Sequence, residues 1–289
     1  MSLKDKLSSS SGAMILEVSP PKGLNIEEII AELKPLLERL DAISIPENPR
    51  GRARMDPLAF GHILQEKTGE EVILHITCRD KNIIALQSEL LGAYALGMKN
   101  LLLLTGDPPS LGDYPSAKAV FDVTSEGLIS IANRMREGFD LSGRELGKRL
   151  DLFLGAGFNP FSEDEKEKVK TLRKISLGVD FLVSQPIFSL EKFQDFIRGL
   201  PSNVFLIGGI WILKSARVAN FLRNEVPGVL VPDDVIERMS KAQNEREEGI
   251  KIACETAEHL LKEGKGVMLM TGNDFSLARD FLEELNEKL

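Results

Sequence analysis

Glu17 closes the apolar run Ala13-Met14-Ile15-Leu16 and is followed by Val18-Ser19-Pro20-Pro21-Lys22-Gly23. Prolines donate no backbone hydrogen bond, so a central strand carrying that run must end here. A carboxyl at the end of a buried strand is paired, protonated or catalytic, because an isolated buried charge is too costly to keep. A capping or salt-bridged glutamate is the structural alternative. The pattern recurs where Leu101-Leu102-Leu103-Leu104 runs into Thr105-Gly106-Asp107-Pro108-Pro109. His75 lies inside Val72-Ile73-Leu74-His75-Ile76-Thr77, ahead of the polar Cys78-Arg79-Asp80-Lys81-Asn82; it is either a satisfied core histidine or a site residue. A further run, 179–184, ends in Gln185-Pro186. Carboxylates, neutral hydrogen-bonders and small glycine surfaces suit a flat, polar heterocycle. No metal is expected, because Glu17 and Asp107 have no evident histidine partners.

These residues act together only if the elements bring strand ends to one place. Strands are predicted at 13–17, 42–45, 72–77, 101–104, 150–156, 179–184, 203–207 and 267–271. Helical spacing falls between them, with a kink or a break expected at Pro35 and an extra helical stretch over 232–263. Cys254 reads as a core residue of that stretch. Eight strand-then-helix units predict an α/β fold of the (β/α)8 TIM-barrel type, in which the C-terminal strand ends share one mouth. A doubly wound open sheet is the alternative, weakened because Pro20-Pro21-Lys22 stands where a glycine-rich phosphate turn belongs. The segment 110–118 is a candidate lid or cofactor-covering loop. Arg50, Arg52 and Arg54 cluster in the loop after the second strand, as solvated surface or as ligand contacts.

Composition bounds the rest. The 289 residues carry 44 acidic and 36 basic side chains, net −8, which argues against general nucleic-acid binding. Two cysteines are too few for a disulfide framework. No run approaches the roughly 20 apolar residues that span a bilayer, and the start lacks a signal-peptide core, so no membrane association and a cytoplasmic protein are expected. Residues 1–12 are expected to form a flexible segment ahead of one barrel domain over 13–289.

The motifs Glu17 to Gly23, His75 to Asp80, Leu104 to Pro109, Ser184-Gln185-Pro186 and Val226 to Pro232, in this order, resemble the 5,10-methylenetetrahydrofolate reductase family. The likeness is to its flavin-dependent bacterial branch, also found fused to homocysteine methyltransferase domains. It implies a TIM barrel that uses FAD and NADH or NADPH to make 5-methyltetrahydrofolate, in one-carbon metabolism and methionine synthesis. By resemblance, Glu17 is the general acid that opens the bridged ring. Asp107 is a catalytic residue near flavin and pterin, and Gln185 binds the folate. His75, Thr105, Gly106 and Asp107 match flavin-contacting positions, and Lys174 matches a lysine on the flavin's phosphate-bearing part. Family members are often homo-oligomers.

Some positions depart from the family. Pro46 and Glu47 replace a threonine and tyrosine after the second strand, and Gly155 to Pro160 replaces an aromatic-and-histidine loop. The family phenylalanine over the folate falls near Ala216, with Trp211 as a possible substitute. Three readings follow. One is a reductase using NADH or NADPH. Another is a flavin- and folate-binding subunit fed by an electron-delivering protein partner. The third is another barrel flavoenzyme, such as a proline-oxidising relative, which would need site arginines for a small carboxylate.

Overall fold

In a computed structural model, which describes residues 1–162, 164–226 and 228–288, the eight strands close into one parallel barrel in chain order. The chain runs α1 (Leu3–Leu7), β1 (Met14–Glu17), α2 (Ile26–Leu33), β2 (Ala42–Ile45), α3 (Pro57–Thr68), β3 (Val72–Thr77), α4 (Ile83–Ala95), β4 (Asn100–Leu104) and α5 (Ser125–Arg136). It continues through β5 (Phe153–Phe158), α6 (Glu165–Ser176), β6 (Phe181–Pro186), α7 (Leu190–Ile197), β7 (Phe205–Trp211) and α8 (Ala216–Glu225). Then come α9 (Asp233–Lys241), α10 (Glu245–Lys262), β8 (Gly266–Met270) and α11 (Phe275–Asn286). Glu163, where the helix predicted after the fifth strand begins, and Pro227 of the last motif lie outside the described residues. Among the described residues no helix is long and apolar enough to cross a membrane.

Strand alternation sorts the core into two layers. Ile15, Ala42, Ile73, Leu102, Phe153, Phe181, Ile207 and Met268 fill the barrel interior. Their neighbours Leu16, Ile43, Leu74, Leu103, Leu154, Leu182 and Leu269 face the helices. The interior is packed, with Phe153 and Phe181 stacked at 5.0 Å. Gly155 has no side chain because a Cβ there would lie 2.1 Å from the Phe181 ring. The same alternation carries Glu17, Ser44, His75 and Thr77 to the inner face above that core.

The first residues depart from the expected flexible segment. Ser2 and Asp5 form a capping box on α1, and Leu3 and Leu7 are buried with the barrel-interior residues. An added Cβ on Gly266 would meet Leu7 at 2.9 Å, so the helix plugs the end of the barrel where the strands begin. The short polar run hid this because only two leucines carry its apolar contact. Elsewhere the break at Pro35 is present, with α2 giving way to a 3-10 turn over Lys34–Arg39. The extra helical stretch divides into α9 and α10, and Cys254 is buried. The seventh strand extends to Trp211, so Gly208 and Gly209 lie within it.

Candidate active site

The C-terminal strand ends form a polar mouth. Glu17 is in register with Ser44 of β2 and Met270 of β8. Its carboxyl has no hydrogen-bond partner among the described residues. The side chain keeps a narrow solvent contact, yet burial pushes its pKa up to about 7, with no charged neighbour contributing. Such a carboxyl holds its proton to near neutral pH. Two strands away, His75 Nε2 and Ser44 Oγ share a buried 2.7 Å hydrogen bond. Burial pushes the imidazole down to about 3, so it is neutral.

Asp107 follows β4 on the rim. Its Oδ2 accepts the Arg50 amide at 2.8 Å. Arg79, buried at the end of β3, clamps Asp80 with two hydrogen bonds at 2.9 and 2.6 Å. It also donates to the carbonyls of Asn48 and Asp107, tying the loops after β2, β3 and β4 together. Glu47 is buried too. It accepts the Thr77 amide at 2.6 Å and pairs with Lys81 at 2.5 Å, which also pairs with Glu89. Burial, only partly offset by Lys81, pushes Glu89 up to about 7.

Gln185 reaches the mouth through an irregularity in β6. Ser184 Oγ accepts the Gly209 amide at 3.0 Å and donates to the Gln185 carbonyl at 2.8 Å, where the β6–β7 register shifts. Bulges of this kind re-aim a side chain, and Gln185 is exposed. Gly209 is needed because a Cβ there would lie 2.7 Å from the Ser184 carbonyl oxygen.

The structure therefore brings Glu17, His75, Thr105, Gly106, Asp107 and Gln185 to one end of the barrel. Lys174 is different. It stands in the last turn of α6 and donates to the Gly157 carbonyl of β5 at 2.7 Å, with burial drawing its pKa down. It is thus turned toward the backbone of β5.

Sequence reasoning missed Ser44, Arg79 and Glu47 as parts of this mouth. Ser44 carried a signal, a polar residue at an inward position of Ala-Ile-Ser-Ile. Arg79 stood in the polar run after β3 and Glu47 among the departures from the family, but their roles were hidden because their partners lie on other loops and strands.

A flavin ring can be tested against the β3–β4 corner. Thr77 Oγ1 is buried there without a hydrogen-bond partner. Gly106 adjoins it at φ +89°, where an added Cβ would come 3.0 Å from Thr77 Cβ. A bare backbone beside an orphaned hydroxyl fits a flat, polar ring.

Fold and site together define a (β/α)8 barrel whose mouth carries a buried carboxyl with a raised pKa. Residues 2–286 match the methylenetetrahydrofolate reductase family, and the chain belongs to that family. It is 22% identical to methylenetetrahydrofolate reductase 1 of Schizosaccharomyces pombe, over 70% of this chain and 33% of that protein. It is 21% identical to methylenetetrahydrofolate reductase 2 of the same organism, over 90% of this chain and 42% of that protein. The chain thus spans less than half the length of these relatives. Among solved structures, a Clostridium thermocellum protein described as binding two copies of 5-methyl-5,6,7,8-tetrahydrofolic acid matches with a TM-score of 0.65 at 13% identity, covering 98% of this chain and 99% of that one. A 2,3-dimethylmalate lyase matches with a TM-score of 0.57, also at 13% identity, covering 99% and 83%. At such identities the likeness is one of fold.

Proposed function

We propose that the chain reduces 5,10-methylenetetrahydrofolate to 5-methyltetrahydrofolate, with Glu17 as the proton donor. The observation that carries this reading is the unpartnered Glu17 carboxyl at the mouth, lifted by burial to about 7. Membership of the family supports the substrate.

Opening the bridged ring needs a proton on the departing nitrogen. A carboxyl that keeps its proton near neutral pH and has no internal partner is free to give it. The hydride comes from a reduced flavin when one is bound. Thr77, Thr105 and Gly106 would hold that ring, and neutral His75, fixed by Ser44, adds no charge beside it. Asp107 Oδ2 is held by the Arg50 amide, which leaves the other oxygen to accept a pterin N–H. The Gln185 amide offers both a donor and an acceptor to the heterocycle. Lys174 lies behind β5, where it steadies the strand end through the Gly157 carbonyl. FAD with NADH or NADPH completes the reading, and electrons from a protein partner are its alternative.

The test is Glu17→Gln in the full chain. Flavin and folate binding should persist while folate reduction, driven by an artificial donor, is mostly lost. Near-normal turnover would remove Glu17 from the mechanism. Comparing NADH, NADPH and the artificial donor on the unmodified protein separates the two electron sources.

A further inference from the structure

We infer that Arg50, on the loop after β2, is a specificity-determining residue that binds the carboxylate tail of the substrate at the rim. The inference rests on the folate reading above and adds to it a site for the glutamyl part of the molecule.

The backbone of this loop is fixed in a demanding shape. Asn48 has φ 40° and Arg50 φ 57°, a region that side-chain-bearing residues enter at a cost. The Arg50 amide is anchored on Asp107. Gly51 packs so closely on the loop after β4 that a Cβ on Gly112 would lie 1.9 Å from the Gly51 oxygen. With its backbone held there, the Arg50 side chain extends toward the far side of the barrel. Its guanidinium carbon lies 5.9 Å from the centre of the Phe221 ring on α8, the helix that follows β7. In the closed strand order, β8 and β1 separate β7 from β2. Arg50 therefore reaches from the loops after β2 and β4 to α8.

Its hydrogen-bonding capacity is unspent. Arg52 pairs with Asp113, Arg54 donates to the Pro20 carbonyl and Arg79 is clamped on Asp80. The Arg50 guanidinium has no hydrogen-bonded partner among the described residues, and contact with the face of an aromatic ring leaves its N–H fork available. The chain as a whole is acidic, at net −8. An anionic ligand with its heterocycle between Asp107 and Gln185 needs a cation further out, and a guanidinium matches a carboxylate through two parallel hydrogen bonds. The outward part of a folate is an aryl amide ending in glutamyl carboxylates.

The test compares 5-methyltetrahydrofolate with its bis-amide, which keeps the tail but not its charge, by calorimetric titration of the full chain. Arg50→Ala should weaken binding of the acid roughly tenfold or more, the loss of a charge-assisted pair, and that of the bis-amide less than about twofold. Arg50→Gly, whose backbone accepts φ 57° without strain, should behave the same and serves if the alanine variant folds poorly. Equal losses on both ligands, or no loss on either, would overturn the role of Arg50 while leaving the folate reading intact. An unmodified protein that binds neither ligand would instead overturn the folate reading.

Discussion

Replacing Glu17 with glutamine should stabilise the protein at alkaline pH and leave it nearly unchanged in mild acid. The folded-state pKa of Glu17 is about 7 against an ordinary 4.5. Below 4.5 both folded and unfolded chains hold the proton, and the amide is close in shape to the neutral acid. Between 4.5 and 7 the unfolded chain releases its proton and the folded chain does not, so the unmodified protein loses stability as pH rises. Above 7 the loss is complete. A gap of 7 minus 4.5, at about 1.36 kcal/mol per pKa unit, is on the order of 3 kcal/mol. The remaining solvent contact of Glu17 makes that an upper figure. The assay is urea unfolding of both proteins from about pH 5 to pH 8, read as the difference between them. Glu89, which titrates in the same range, is present in both and cancels. The advantage of the glutamine variant should grow across that window. A flat difference would refute the claim that Glu17 is buried as a neutral acid, whatever the enzyme assays say.

His75 should stay neutral well below the usual histidine range, so its ring resonances should not titrate between about pH 7 and pH 5 in NMR. Because its folded-state pKa is depressed, to about 3, its stabilising contribution is full above 6.5 and is lost as pH falls toward 3. Ser44→Ala should cost about 1–3 kcal/mol in chemical unfolding by leaving His75 Nε2 buried without its partner. Leu3→Ala or Leu7→Ala should each cost about 2–5 kcal/mol by opening a cavity beneath the barrel interior, and an unchanged unfolding midpoint would contradict the plug.

The barrel was legible because its information is local and repeated. Most strands announced themselves as an apolar run stopped by glycine or proline, β3 running instead into polar residues, and Glu17, Asp107 and Gln185 each stood at such a stop. The α1 plug was not legible, because Leu3 and Leu7 acquire meaning only from the space the closed barrel leaves for them. The position of Lys174 needed three dimensions for the same reason. A lysine in the last turn of a helix can point to the rim or fold back on the strand behind it, and no pattern in 165–176 chooses. The network of Arg79, Asp80, Asn48 and Asp107 joins loops that are remote in sequence, so residue types alone showed only a polar cluster.

The arginines near the mouth explain why Glu17 can remain neutral. Burial alone raises its pKa; a guanidinium close by would restore the ionised form. Arg54 sits on the same loop system and reaches the Pro20 carbonyl, three residues beyond Glu17, but ends on a neutral oxygen. Arg79 is taken by Asp80, and the backbone at Arg50 carries its cation outward to Phe221. Each positive group is thus committed away from the inner carboxyl. On the proposed reading the mouth separates two tasks that would conflict at one point: a protonated acid inside would serve a leaving nitrogen, and a cation further out would serve a carboxylate. The Arg50 amide holds the loop on Asp107 while the side chain of the same residue reaches Phe221.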